Sequence, residues 1–82
     1  MSEPADGVVL RLASDEALVL FEWLHRMEDE ERYANVIEDD AEELALWRLS
    51  GLLESELVEP FRPDYRQLVA EARDRLRIKY GG

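Results

Sequence analysis

The chain contains no cysteine, and its 82 residues include a single histidine, His25, and a single lysine, Lys79. Without cysteine, neither a disulfide nor a thiolate zinc site can stabilise so small a fold. The sequence also lacks a nucleophile motif and a phosphate-binding loop, so any catalysis would rest on carboxylates, and nothing places two of them in an apolar pocket. We therefore expect a protein that is not an enzyme and that carries no cofactor.

Long apolar runs are also missing. No segment approaches the roughly 20 residues of a membrane span. The first residues carry the acids Glu3 and Asp6 where a signal peptide needs basic residues. These features predict a cytoplasmic protein that does not bind membranes.

Acidic residues outnumber basic residues two to one, with 20 Asp and Glu against 10 Lys and Arg and a formal net charge of −10. The two signs are unevenly distributed, because residues 1–59 carry 17 acids and four bases whereas residues 60–82 carry three acids and six bases. Such asymmetry favours a protein partner of basic character and disfavours direct binding to nucleic acid.

The chain is short enough to form one domain at most, since a chain of this size buries only about 60 to 65% of its unfolded surface. Hydrophobic residues make up 46% of it, which exceeds what a disordered chain carries. Residues 1–7, polar with Pro4 and Gly7, predict a flexible tail. Residues 8–82 predict a single domain.

Three amphipathic segments predict three helices. The first covers residues 15–31, where Ser14 precedes two acids and its hydroxyl can cap the helix. Its apolar positions recur at helical spacing: Ala17, Leu20, Phe21, Leu24 and Met27. The third follows Pro63, which suits a first helical turn, and Gly81 is a natural C-cap. Its apolar positions are Tyr65, Leu68, Val69, Ala72 and Leu76. Glu71 and Arg75 on this helix have the i,i+4 spacing of an ion pair.

The second predicted helix covers residues 40–57, and Asp39 with Glu42 has the spacing of a capping box. Its apolar residues fall on more than one side. Ala45, Leu49, Leu52, Leu53 and Leu57 share one side, whereas Leu44, Trp47 and Gly51 lie towards another. A helix that is apolar on two sides is packed on both, either inside the domain or against a second subunit. A homodimer is therefore one expectation, and the alternative is a monomer in which the N-terminal segment covers Trp47.

Two other segments have no helical period. Residues 8–12 are β-branched and apolar, which favours either a short strand, paired with residues 77–80 or with a second subunit, or an extended arm that lies across the helices. Residues 33–38 predict a connection whose Val36 and Ile37 pack into the core. The fold class expected is therefore mainly α, a three-helix domain with a short N-terminal extended segment or strand.

The candidate sites are few. Glu22 and His25 have the Glu-x-x-His spacing of di-iron bundles, but both fall towards the polar edge of helix 1, where a solvated histidine is the commoner arrangement. The acids Glu28, Asp29, Glu30 and Glu31 either solvate one end of the domain or face a basic partner. Trp23 and Trp47 lie on helix flanks, where core packing is expected, although each also suits an interface anchor. The predicted interaction residues are therefore the four acids at positions 28–31 together with Leu44 and Trp47.

Three segments resemble small acidic proteins of unknown function, mainly from actinobacteria: residues 14–24, 45–49 and 53–57. These are packing motifs rather than reactive ones. The resemblance implies a bacterial origin and no activity.

Together these observations predict a non-catalytic protein-interaction or regulatory module. The alternative is an acidic inhibitor, antitoxin-like or imitating a nucleic acid, that blocks a basic partner. A third hypothesis is a helical bundle that binds a metal through carboxylates.

Overall fold

The computed structural model describes residues 7–81, which form three α-helices joined by short turns. Helix α1 spans Ser14–Asp29, α2 spans Asp40–Glu56 and α3 spans Tyr65–Leu76. Arg32–Asn35 and Glu59–Phe61 each form one turn of 3-10 helix. A π-turn, Arg77–Gly81, extends α3. The predicted mainly α fold with three helices is confirmed. The predicted tail, residues 1–7, lies outside the described residues except for Gly7.

Residues 8–12 do not form a strand. They have no regular secondary structure and are exposed, and within residues 7–81 no strand is present to pair with them. The segment that the sequence indicates as their partner, residues 77–80, belongs to the π-turn after α3. The other alternative, an extended arm lying across the helices, is not observed either, because Val8, Val9 and Leu10 are 85%, 93% and 76% exposed. None of the helices in this part of the chain is long and apolar enough to cross a lipid bilayer.

The helix starts differ in how they are capped. Asp39 is the N-cap of α2, and its Oδ1 accepts a hydrogen bond from the Ala41 amide at 2.7 Å, as predicted. Glu42 Oε1 accepts from the Glu38 amide instead of that of Asp39. The predicted cap of α1 was wrong, because the N-cap is Ala13. Its backbone amide donates to Glu16 Oε1 at 2.7 Å, so a glutamate replaces the expected serine hydroxyl.

Helix α1 is central, because α2 and α3 pack on different faces of it rather than on each other. One apolar cluster joins α1 to α2 and consists of Phe21, Leu24, Leu53 and Leu57, with Ala17, Leu20, Leu46 and Leu49 at its edge. The second cluster joins α1 to α3 and consists of Leu18, Val69 and Ala72, with Val19, Tyr65 and Leu68 at its edge. The predicted apolar stripes of α1 and α3 therefore face the core, apart from Leu76, which is half-buried and belongs to neither cluster.

The two interfaces of α1 differ in their polar contacts. Between α1 and the α3 region, Tyr65 Oη donates to Glu22 Oε1 at 2.9 Å, Arg75 binds Asp15, and Tyr80 Oη donates to Glu16 Oε2. Between α1 and α2, in the described part of the chain, no side-chain hydrogen bond or ion pair is formed. Helix α2 is therefore held on α1 by apolar packing alone.

Of four residues that the sequence places in the core, three are exposed and one is half-buried. Trp23 and Trp47 are 43% and 51% exposed, because α2 and α3 leave the flanks on which they lie uncovered. Val36 points to solvent, and Ile37 is only half-buried. The connection contributes Tyr33 to the core instead, with 3% of its surface exposed. Glu31 adopts the left-handed conformation, φ 53° and ψ 38°, and this turn directs the ring back beneath α1.

Candidate interaction surfaces

A shallow apolar groove, open to solvent along most of its face, lies between α1 and the end of α3. Its volume is about 610 Å³. The apolar side chains that line it are Val19, Leu20, Trp23, Leu76 and Tyr80, with Glu16 and Arg77 at its rim. Apolar surface of this kind, rimmed by charged groups, is typical of contact sites between proteins.

The rim of the groove is held in place by Glu16. Its Oε2 accepts the Tyr80 hydroxyl at 2.8 Å, and its Oε1 accepts the Ala13 amide. The hydrogen bond from the Ala13 amide, followed by that from Tyr80, holds the pKa of Glu16 below its usual value, so this carboxylate is charged at neutral pH. The groove therefore has a fixed wall on the Tyr80 side.

An acidic cavity of about 510 Å³ lies at the other end of the molecule, where the connection meets the start of α2. Its lining consists of Glu28, Glu31, Tyr33, Ala34, Ile37, Glu43 and Trp47. Glu28 Oε2 is shielded from solvent, and in the described residues it has no hydrogen-bond partner. Burial, and then the negative charges of Glu28 and Glu43, raise the pKa of Tyr33 above its usual 10.0. This end of the molecule thus carries a concentrated negative field.

The predicted acidic residues divide between this cavity and the open surface. Glu28 and Glu31 meet Trp47 in the cavity. Glu30 forms an ion pair with Arg32, and Asp29 lies 3.5 Å from His25 Nε2. Leu44 is exposed on α2 and is not part of the cavity.

Glu22 and His25 do not meet at one site. The carboxylate of Glu22 accepts the Tyr65 hydroxyl and also pairs with Arg26 at 3.3 Å, whereas the ring of His25 stacks on Phe21. Within residues 7–81, no group of three or more His, Asp or Glu side chains is placed to hold a metal ion. Burial and the hydrogen bond to Glu22 raise the pKa of Tyr65 far above its usual 10.0, so the phenol stays protonated at neutral pH and its hydroxyl donates a hydrogen bond to Glu22.

The sequence indicated only one residue of the apolar groove as an interface candidate. Its position on a helix flank makes Trp23 an alternative interface anchor, but the spacing of α3 predicts Leu76 in the core stripe, and Tyr80 falls in a segment that could pair as a strand. The groove forms because the π-turn after α3 brings Tyr80 against the first turns of α1. A single π-turn has no pattern in the sequence by which it could be predicted.

Comparison with known protein families, with curated proteins and with solved structures gave no match to this chain. The resemblance to small acidic actinobacterial proteins stays a prediction.

Proposed function

We propose that this chain is a non-catalytic protein-interaction module that assembles with a second copy of itself. The observation that carries the proposal is the apolar groove, in which Trp23 and Tyr80 remain 43% and 64% exposed. Exposed aromatic side chains at a groove are typical anchors of protein contacts, because they bury a large area at little entropic cost.

The occupant proposed for the groove is the arm, residues 8–12, of the second copy. Val8, Val9 and Leu10 are 85%, 93% and 76% exposed, so the arm does not fill the groove of its own chain. Five extended residues span about 16 Å, enough to follow roughly three turns of a helix. In a twofold dimer each copy offers one arm and one groove, so both apolar surfaces of both copies are covered.

Sedimentation equilibrium at several protein concentrations tests the proposal. The wild type is expected at twice the chain mass of 9.6 kDa. Trp23→Glu in the groove and Val9→Asp in the arm should both give monomers, because each places a charge at the buried contact. Trp47→Glu is the matched control, since Trp47 is a half-exposed tryptophan outside the groove, and this variant should remain dimeric.

Circular dichroism of each variant confirms that the helices are retained. A wild type at the monomer mass up to high micromolar concentration would overturn self-assembly. A dimer broken by Trp47→Glu but not by Trp23→Glu would move the interface to the flank of α2. A dimer broken by Trp23→Glu but not by Val9→Asp would show that the arm is not the occupant.

A further inference from the structure

A half-open cavity of about 450 Å³ lies beside the contact between α1 and α3, and it shares no residue with the apolar groove. Three arginines line it, Arg26 from α1 with Arg66 and Arg73 from α3. Its remaining lining residues are Glu22, Tyr65 and Val69. With three guanidinium groups and one carboxylate, this cavity is locally positive in a chain whose formal net charge is −10.

The positive charge in the cavity is not neutralised internally. Its only carboxylate, Glu22, accepts the Tyr65 hydroxyl on Oε1 and pairs with Arg26 through Oε2. Arg66 and Arg73 form no ion pair with any carboxylate among residues 7–81. This is notable because acids outnumber bases two to one, and the neighbouring Arg62, Arg75 and Arg77 are each paired with an aspartate.

The spacing along α3 allows the guanidinium groups to converge. Arg66 and Arg73 are seven residues apart and so lie on one face of the helix, two turns from each other. Val69 lies between them, is buried, and forms an apolar floor. Arg26 approaches from α1, where it pairs with Glu22 at 3.3 Å. A group bound above Val69 would therefore face arginines from two helices.

We infer that this cavity binds the phosphate group of a small phosphorylated molecule. Guanidinium groups match the oxygens of a phosphate with paired hydrogen bonds, which a single point charge cannot do. The volume is larger than a bare ion requires and falls within the range of small-molecule sites. The distant acids of the chain oppose an anion only weakly, because their field is screened over about 8 Å at physiological ionic strength.

Inorganic phosphate is the probe for the first test. Isothermal titration and amide chemical-shift mapping compare sodium phosphate with sodium chloride at matched ionic strength and pH. Phosphate should bind and should shift the amides of residues 65–73. Arg66→Gln and Arg73→Gln should each weaken binding about tenfold, the loss expected for one charge-assisted contact. Arg62→Gln removes the same charge from a guanidinium that is already paired with Asp64, and it should leave binding nearly unchanged.

Glu22→Gln provides a test of opposite sign. The amide oxygen still accepts the Tyr65 hydroxyl, but Arg26 loses its carboxylate, so phosphate should bind more tightly than to the wild type. Glu71→Gln is the control for net charge, because Glu71 lies outside the cavity. No binding beyond that of chloride would overturn the inference. So would equal losses in Arg62→Gln and Arg66→Gln, or shifts confined to other residues, since either result would indicate only general attraction of anions.

Discussion

Arg75 binds Asp15 through two hydrogen bonds, although the two residues are 60 positions apart in the chain. Nε donates to Oδ2 and Nη2 donates to Oδ1, each at 2.8 Å. This paired geometry joins the first turn of α1 to the last turn of α3 and fixes the two helices in an antiparallel arrangement. The hydrogen bond from Arg75 holds the pKa of Asp15 below its usual 3.8.

Replacement of Asp15 by Asn should lower the urea midpoint at neutral pH, because the charged acceptor of both hydrogen bonds is lost. The folded protein lowers the pKa of Asp15, so the contribution is present above pH 3.8 and disappears as the pH falls through the lower value of the folded state. The wild type and Asp15→Asn should therefore converge in acid. Urea denaturation from neutral pH downwards measures the difference.

The control for this prediction is Glu54→Gln, which removes the same charge from an exposed residue of α2. An equal loss of stability in both variants at neutral pH would show that net charge, and not the contact with Arg75, is responsible.

Tyr65→Phe should destabilise the fold by about 1 kcal/mol at neutral pH, because Glu22 loses a donor while remaining accessible to water. The pH dependence has a defined sign. The folded state raises the pKa of Tyr65 and keeps the phenol neutral, whereas the unfolded chain ionises near its usual 10.0. The stability from Tyr65 is thus complete below that pH and is lost as the pH rises above it.

Urea denaturation from about pH 8 to pH 11 compares the two proteins across this range. The wild type should lose stability with rising pH more steeply than Tyr65→Phe. Tyr33, whose pKa is also raised, is present in both proteins and accounts for the slope that remains. Parallel slopes would contradict the role assigned to the hydrogen bond with Glu22.

Glu28→Gln should stabilise the fold by less than about 1 kcal/mol, because it removes one of the three carboxylates, Glu28, Glu31 and Glu43, that line the acidic cavity and so relieves repulsion between like charges. Glu54→Gln matches the change in net charge without touching the cavity. Thermal unfolding at low and moderate salt gives the comparison, and the advantage of Glu28→Gln over Glu54→Gln should shrink as salt screens the repulsion. A melting temperature below that of the wild type would instead mean that Glu28 has a stabilising partner.

Local patterns predicted the helices well. The stripe of α3 contains Val69 and Ala72, both buried, and Asp39 caps α2. Each depends on residues within a few positions of one another, so one sequence suffices. The connection shows the limit of this approach. Tyr33 is buried because Glu31 adopts a left-handed conformation that is more typical of glycine, and no residue type at that position indicates such a turn.

Contacts between helices were less predictable. Spacing alone pairs Glu71 with Arg75, but Arg75 binds Asp15, and Glu71 accepts from Gln67. The periodicity of α1 shows which face is apolar, but not how much of that face two neighbouring helices can cover, so Trp23 was expected in the core. Both candidate sites depend on such contacts. The apolar groove forms only where Tyr80 lies against α1. The cavity lined by three arginines forms only where Arg26 lies beside Arg66 and Arg73.

The absence of polar contacts between α1 and α2 within the described residues determines which helix substitutions can move. A shift of α3 along α1 would break the contacts of Asp15 and Glu22 together. Only one register of α3 on α1 therefore keeps both contacts. The α2 interface is made of Phe21 and leucines such as Leu53, which can exchange neighbours without leaving a polar group unsatisfied. Helix α2 is therefore the part of the molecule that mutation can reposition most easily. Its acidic first turn could thus come to face a different partner while the α1–α3 pair stays unchanged.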